Sequence, residues 1–194
     1  SRCRQCERAL SSHDTRQRFV TSVLWDIPIG RGRAVEPRNA LLNAIVGGWQ
    51  LGSIFTLQDG FPITVRNGQD TSNTGAFFDR PNSTGVNAKL SSDEQDPQRF
   101  FNTAAFTTNL PGTHGNVGRN TLTGPGIVSW DFSTLKNFYL DETRYLQFRF
   151  EAFNLPNRAN FGNPNTNIAS NNFGVITSTR TNMRNLQFAL KLVF

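Results

Sequence analysis

The sequence predicts an all-β chain, an antiparallel meander of about five long strands joined by long loops. Three observations predict it. The last nine residues alternate without a break: Leu186, Phe188, Leu190, Leu192 and Phe194 share one side of an extended strand, and Gln187, Ala189, Lys191 and Val193 share the other. Successive strand side chains change face, so this segment has one apolar and one mixed side. The composition is aromatic rather than aliphatic, with 17 Phe and 3 Trp in a chain that is only 37% hydrophobic, and with 16 Gly, many Asn and the single methionine Met183. Aromatics set among turn formers read as strands and long loops. Finally, no stretch approaches the roughly 20 apolar residues of a spanning helix, which excludes an α-helical membrane protein and leaves a barrel open.

The first strand is predicted from about Gln17 to Ile29, with Phe19, Val23, Trp25 and Ile27 on one face. Pro28 and Gly30 end it, Arg31, Gly32 and Arg33 form a polar stretch, and the apolar run Leu41 to Val46 fits one or two helical turns. The second strand spans about Gly48 to Gln58, with Trp49, Leu51, Phe55 and Leu57 opposite Gln50, Gly52, Thr56 and Gln58. Gly60 and Pro62 interrupt it, and Ile63 to Arg66 is expected to extend it. Residues 67–126 form one long connection rich in Asn, Gly, Thr, Ser and Pro, with short ordered pieces such as Pro97 to Phe106.

The third strand, about Ile127 to Leu140, holds Trp130, Phe132, Phe138 and Leu140 in register. A tight turn over Leu140, Asp141, Glu142 and Thr143 leads to the fourth strand, Arg144 to Asn154. There Leu146, Phe148, Phe150 and Ala152 face one way, and Gln147, Arg149 and Glu151 face the other. A second Asn/Gly-rich loop covers 155–182, with a short strand expected at Phe173 to Ser178, before the terminal strand.

A soluble sandwich and a membrane barrel both accommodate such strands. Loop length separates them, because a structureless connection of this length is rare in a compact soluble domain. Outer-membrane barrels have short periplasmic turns and long outer loops. If the terminal strand runs inward, the turn at Asp141 falls on the periplasmic side and both long loops fall outside; the connection from Gly30 to Gly47 is longer than a typical periplasmic turn. The same parity places Trp25, Trp49, Phe138, Tyr139, Tyr145 and Phe194 near the periplasmic interface and Trp130 with Phe19 near the outer one, as two aromatic girdles require. Phe148, Phe150, Leu190 and Leu192 are then expected to face lipid, while Gln147, Arg149, Glu151 and Lys191 face the lumen or a plug.

Net charge is +6, with Arg2, Arg4, Arg8, Arg16, Arg18, Arg31, Arg33 and Arg38 clustered early. This suits solvated loops or lipopolysaccharide phosphates, and without an RNA-binding aromatic signature, a helix-turn-helix pattern or zinc-finger spacing no nucleic-acid partner is expected. Cys3 and Cys6 form one CxxC, but a zinc site needs four ligands and the only histidines, His13 and His114, are far apart. The pair reads as incidental, so no metal and no cofactor is expected. No nucleophile elbow or phosphate loop is present, the acidic pairs Asp93/Glu94 and Asp141/Glu142 sit in turn-like segments, and no enzyme is expected. The chain begins at Ser1 without Met or a secretory signal, which reads as a piece of a longer protein.

Several segments carry a family resemblance. Asp14-Thr-Arg-Gln-Arg-Phe19 resembles the D-x-R-H-R-F element of TonB-dependent outer-membrane receptors of the Oar-like group. Gly47-Gly-Trp-Gln-Leu51 with Leu57-Gln-Asp-Gly-Phe-Pro62 resembles their GGWQ…LQSGFP strand. Phe100 to Phe106, Gly115 to Asn120 and Gly124-Pro-Gly126 resemble landmarks of one outer loop, and Phe148 to Asn154 with Asn160 to Pro164 resembles the penultimate strand and its loop. The resemblance runs from Asp14 to Phe194, and residues 1–13 are expected to be disordered or non-native.

The resemblance implies the C-terminal part of a gated transporter whose barrel of about 22 strands closes around an N-terminal plug. TonB would drive it through the missing N-terminal part. Further partners would be outer-membrane lipid and lipopolysaccharide, the remaining barrel strands and plug, and the barrel assembly machinery. That machinery would read Leu186, Phe188, Leu190, Leu192 and Phe194 as an assembly signal. The isolated chain is expected to be inactive. The competing reading is a soluble secreted β-sandwich that binds carbohydrate or a protein partner through its loops. An unpaired edge with alternating apolar side chains suits capture by strand addition. Deleting Phe194 is therefore expected to lower the amount of full receptor in outer-membrane fractions without changing its synthesis; unchanged insertion would leave the terminal strand a purely structural element.

Overall fold

The computed structural model describes residues 7–30, 32–75, 77–141 and 143–194; Cys3 and Cys6, together with Arg2, Arg4, Arg31 and Glu142, lie outside the described residues. The chain divides into two compact units, one made of residues 18–57, 128–159 and 182–194, the other of residues 1–17, 58–127 and 160–181.

The first unit is a sheet. Its strands are β1 (Arg18–Asp26), β2 (Trp49–Gln58), β7 (Ile127–Tyr139), β8 (Tyr145–Phe153) and β9 (Asn185–Val193), and they pair in the order β1-β2-β7-β8-β9. Ile27 donates to the Trp49 carbonyl and Asp59 to that of Gln17, each at 3.0 Å, so β1 and β2 run antiparallel without a slip between those points. Asn137 donates to the Gly48 carbonyl at 3.2 Å, and Trp130 Nε1 donates to Ser53 Oγ at 2.9 Å, which sets β2 antiparallel to β7. β7 pairs antiparallel with β8, Phe132 opposite Ala152 through Tyr139 opposite Tyr145, and β8 with β9, Tyr145 opposite Val193 through Phe153 opposite Asn185. The sheet is the predicted five-stranded meander, and the long connections after β2 and β8 leave from the same end of it.

Local chemistry sets the strand ends. The first strand stops at Asp26 rather than Ile29, because Pro28 has no N–H to continue the ladder. The apolar run after it forms a short helix, α1 (Ala40–Val46), whose first turn is capped by Asn39 Oδ1 accepting from the N–H groups of Leu41 at 2.9 Å and Leu42 at 3.2 Å. Between β7 and β8, Asp141 Oδ1 accepts from the N–H groups of Thr143 and Arg144, an Asx turn that reverses the chain. At the other end, Asn154 adopts a φ of 51°. Its amide donates to the carbonyls of Arg158 and Asn182, and its N–H donates to Asp131, which ties the exit of β8 to the entry of β9.

The second unit corrects the expectation of open loops. Pro62 and Ile63 do not extend the second strand; they form β3, which pairs with β6 (Leu122–Thr123) in a separate ladder. A Cβ on Gly60 would stand 1.7 Å from the Gly124 carbonyl oxygen, so the two segments can approach this closely only because position 60 lacks a side chain. β4 (Asn82–Ser83) pairs with β5 (Phe106–Thr107), directly after a 3₁₀ turn at Thr103–Ala105. Phe173 to Ser178 is not a strand: Gly174 donates to Asn165 and Ile176 to Pro97, so its backbone is spent on loop partners. Arg66 and Asn167 form a parallel bridge that joins the two long connections.

This unit holds the chain's buried apolar cluster: Ile63, Val65, Phe101, Ala105, Phe106, Val117 and Leu122. Phe101, Phe106 and Phe173 meet edge to face with ring centroids 5.2–6.1 Å apart. In the sheet Ala152 is the only buried hydrophobic residue among the described residues, and Phe188 and Leu190 are 68% and 69% exposed. A soluble sandwich would cover that face with a second sheet. Phe101→Ala is expected to lower the opening free energy of the loop unit by about 3–5 kcal/mol. Hydrogen exchange at the Val65 and Leu122 amides would read this, and unchanged protection there would show that the aromatic trio does not hold the unit.

Candidate functional site, a two-faced sheet and a cationic cleft

The register sorts every strand side chain onto one of two faces. Phe148 lies opposite Lys136 and Leu190, and Phe150 lies opposite Thr134 and Phe188. Leu146 and Leu192 share that face, as do Ala152 and Leu186. Continued through β2 and β1, the same parity adds Phe132, Trp130, Phe55, Leu51, Trp49, Trp25 and Phe19. The opposite face carries Gln147, Arg149, Glu151 and Lys191, with Asn137, Ser133 and Asp131 beside them. Gln147 Nε2 donates to Asn137 Oδ1 at 3.0 Å, and Arg149 lies 3.9 Å from Glu151. Half-exposed pairs of this kind add little stability, so their effect is to make the face polar and hydrogen-bonding.

Of the expected girdle residues, Trp25, Trp49 and Trp130 lie on the apolar face. Tyr139 and Tyr145 do not. They stand opposite one another on the polar face, centroids 5.6 Å apart, because their odd numbers in β7 and β8 give them the parity of Gln147. On the apolar side, Phe138 opposite Leu146 occupies the neighbouring level. The terminal residues Leu186, Phe188, Leu190 and Leu192 form the apolar side of β9, an edge strand with no further strand beside it among the described residues. Phe194, just past that strand, is 93% exposed.

Lys136 is the residue that pattern reading missed, although its even number gave it the parity of Trp130, Phe132 and Phe138. It lies on the apolar face and is only 2% exposed. Its ammonium sits 5.6 Å from the Trp49 ring centroid and 5.0 Å from that of Phe138, and it donates to the Gly47 carbonyl. The stem packs along apolar surface while the charge is met by two rings and a carbonyl.

The loop unit contains a cleft of about 400 Å³, lined among others by Arg66, Phe78, Asp79, Arg80, His114 and Arg119. Arg66 stacks over the Phe78 ring at 5.0 Å, and Arg80 pairs with Glu7. Asp79 accepts from the Ser72 N–H at 2.8 Å and from the Ser72 and Thr71 hydroxyls, and His114 lies 4.0 Å away. A Cβ on Gly115 would stand 1.9 Å from the Arg80 carbonyl oxygen, which lets the two walls approach. Partial burial alone would raise the Asp79 carboxyl, but these hydrogen bonds and the nearby imidazole outweigh it and hold the group below its ordinary value. No sequence motif marks this cleft, because its residues come together only when the loop folds. Among the described residues no cluster of three His, Cys, Asp or Glu side chains has the arrangement of a metal site. No helix is long and apolar enough to cross a membrane, which does not bear on strands.

A family model described as an outer membrane beta barrel domain matches residues 1–187. No curated protein matches the chain, and no solved structure matches it.

A charge near the midplane of a lipid-facing strand costs roughly 2–4 kcal/mol. Phe150→Arg, farther along β8 from the level of Lys136, should therefore reduce membrane assembly far more than Gln147→Arg on the polar face, and equal tolerance of the two would remove the assignment of faces. Asp79, with its folded pKa depressed, contributes stability that is present above its unfolded pKa of about 3.9 and disappears as pH falls through the folded value. Asp79→Asn should thus lower protection of the loop unit at neutral pH and flatten its loss on acidification. Identical exchange profiles for both forms between neutral pH and about 3 would show that the Asp79 network carries no stability.

Proposed function

This chain belongs to the outer membrane β-barrel family and resides in the bacterial outer membrane, and from that premise we propose that it is the C-terminal part of the barrel of a TonB-dependent, Oar-like receptor that imports a ligand through a plugged lumen. The single observation that carries the reading is the two-faced meander. One face is continuous aromatic and aliphatic surface with tryptophans, fit for lipid, and the other presents Gln147, Arg149, Glu151 and Lys191, fit for a hydrated lumen and the polar surface of a plug. The receptor motifs noted in the sequence fall at structurally demanding points of this fold. Gly60 and Gly124 meet at the exit of β2, and Asn154 links β8 to β9.

In this reading the strands serve as wall. Each backbone N–H and C=O within the membrane must be satisfied by a neighbouring strand, so β1 and β9 need partners from the rest of the receptor, and the plug and remaining strands are this chain's first partners. The long loops lie outside, and their cleft offers cations and an aromatic ring to an incoming ligand. Lipopolysaccharide phosphates meet the arginines around the outer surface. The assembly machinery takes β9 by its free edge, with Phe194 at the interface level. TonB acts on the N-terminal part of the full receptor, and the wall holds the plug in register while that force is applied.

The test uses the full-length receptor in native outer membranes and the purified periplasmic domain of TonB. Membranes that contain the receptor should retain that domain, and membranes from a strain deleted for the receptor should not. A receptor that assembles as a barrel yet retains no TonB would place the chain in an outer-membrane protein of another kind.

A further inference from the structure

We infer that α1 is a second membrane contact: it lies in the headgroup zone of the periplasmic leaflet, against phospholipid, on the outer side of the barrel wall. This rests on the barrel topology proposed above. The connection that carries α1 joins β1 to β2 at the end of the sheet opposite the long loops, and it is longer than the turn between β7 and β8 at that same end. The helix contains no charged residue, and Leu41, Leu42 and Ile45 are 77%, 50% and 66% exposed. At about 100° per residue these three side chains fall within one arc of the helix surface. A helix of two turns is marginal in water by itself, so this one depends on what its apolar side meets.

Two bonds fix which side of the wall it occupies. Trp49 Nε1 donates to the Ile45 carbonyl at 2.8 Å, and Lys136 Nζ donates to the Gly47 carbonyl. Both donors belong to the face that carries Phe148 and Leu190, so the C-terminal end of α1 is held on the lipid side and not on the side of Gln147 and Arg149. The same bonds satisfy two carbonyls that a helix end leaves open, a requirement that sharpens where water is scarce. The ammonium of Lys136 between the Trp49 and Phe138 rings is placed where the headgroup level accepts both charge and aromatic surface. Arg38, exposed one residue before the Asn39 cap, adds a cation at the same level, suited to a lipid phosphate. The apolar surface of α1 is thus continuous with the lipid-facing wall, and phospholipid is the occupant that both its surface and its flanking charge fit.

The experiment uses the full receptor with Cys3 and Cys6 replaced by serine, reconstituted in phosphatidylcholine–phosphatidylglycerol vesicles. Single cysteines at Leu41, Ile45, Leu190 and Gln147 are labelled with an environment-sensitive fluorophore. Nitroxide-bearing lipids, with the nitroxide near the headgroup or at mid-chain, serve as quenchers. Labels at Leu41 and Ile45 should show blue-shifted emission and be quenched more strongly by the headgroup-proximal nitroxide than by the mid-chain one, while Gln147 stays unquenched. Adding Lys136→Gln should return the Ile45 label towards its emission in water. If Leu190 is quenched while Leu41 and Ile45 are not, the helix inference is overturned and the barrel reading stands. If Leu190 also escapes quenching, the wall assignment itself fails and takes the helix with it.

Discussion

The backbone ladders that hold Phe148 opposite Lys136 and Leu190 fix far more than local pairing. Strand side chains have a period of two, so a slip of one residue between β7 and β8 would move Gln147, Arg149 and Glu151 onto the apolar side and turn Phe148 and Phe150 inward. The register is therefore the condition for the sheet to have one apolar and one polar face. The turn at Asp141 on one end and the bond from the Asn154 N–H to Asp131 on the other hold it. These devices work without a buried core in the sheet, whose apolar face is largely exposed. The hydrophobic cluster of the chain lies elsewhere, in the segments that read as loops.

That division explains an otherwise odd distribution of phenylalanine. In the sheet, Phe rings stand out from the wall and pack side by side, as Phe150 and Phe188 do at 5.1 Å. In the loop unit, Phe101, Phe106 and Phe173 turn inward and meet edge to face. The same residue type thus serves two solvents. Asn has a comparable double use: it caps α1 from Asn39, and it holds left-handed turns at Asn73, Asn120, Asn154 and Asn157, where a short polar side chain tolerates positive φ.

Strand existence, order and facing were legible in the sequence because alternation is a local signal that survives without tertiary information. Phe148 to Ala152 and Leu186 to Leu192 show it plainly. Two things were not legible. Parity within a strand is visible and sets Tyr139 and Tyr145 beside Gln147, but parity does not tell what surrounds a side chain. Lys136 shows this, since a lysine on an apolar face looks like noise until Trp49 and Gly47 supply its surroundings. The loop fold was hidden for a different reason. Its core residues Ile63, Val65, Val117 and Leu122 are scattered among turn formers with no period, and their contacts join segments far apart in the chain. The cleft around Asp79 and Arg66 inherits that invisibility.

The loop unit is stitched from three separate stretches of chain, residues 1–17, 58–127 and 160–181, and the Asn120 amide reaches a carbonyl at Leu10, 110 residues away. Closing such distant pairs costs entropy before any contact repays it, and folds of this kind form late and slowly. The segment from Asn160 to Thr181 must be made before the bridge between Arg66 and Asn167 can close. Until then the polypeptide between β2 and β7 has no completed core and stays pliable. Completion of this body thus draws on segments that lie on both sides of β7 and β8 in the chain, so its core closes only after those strands have been made.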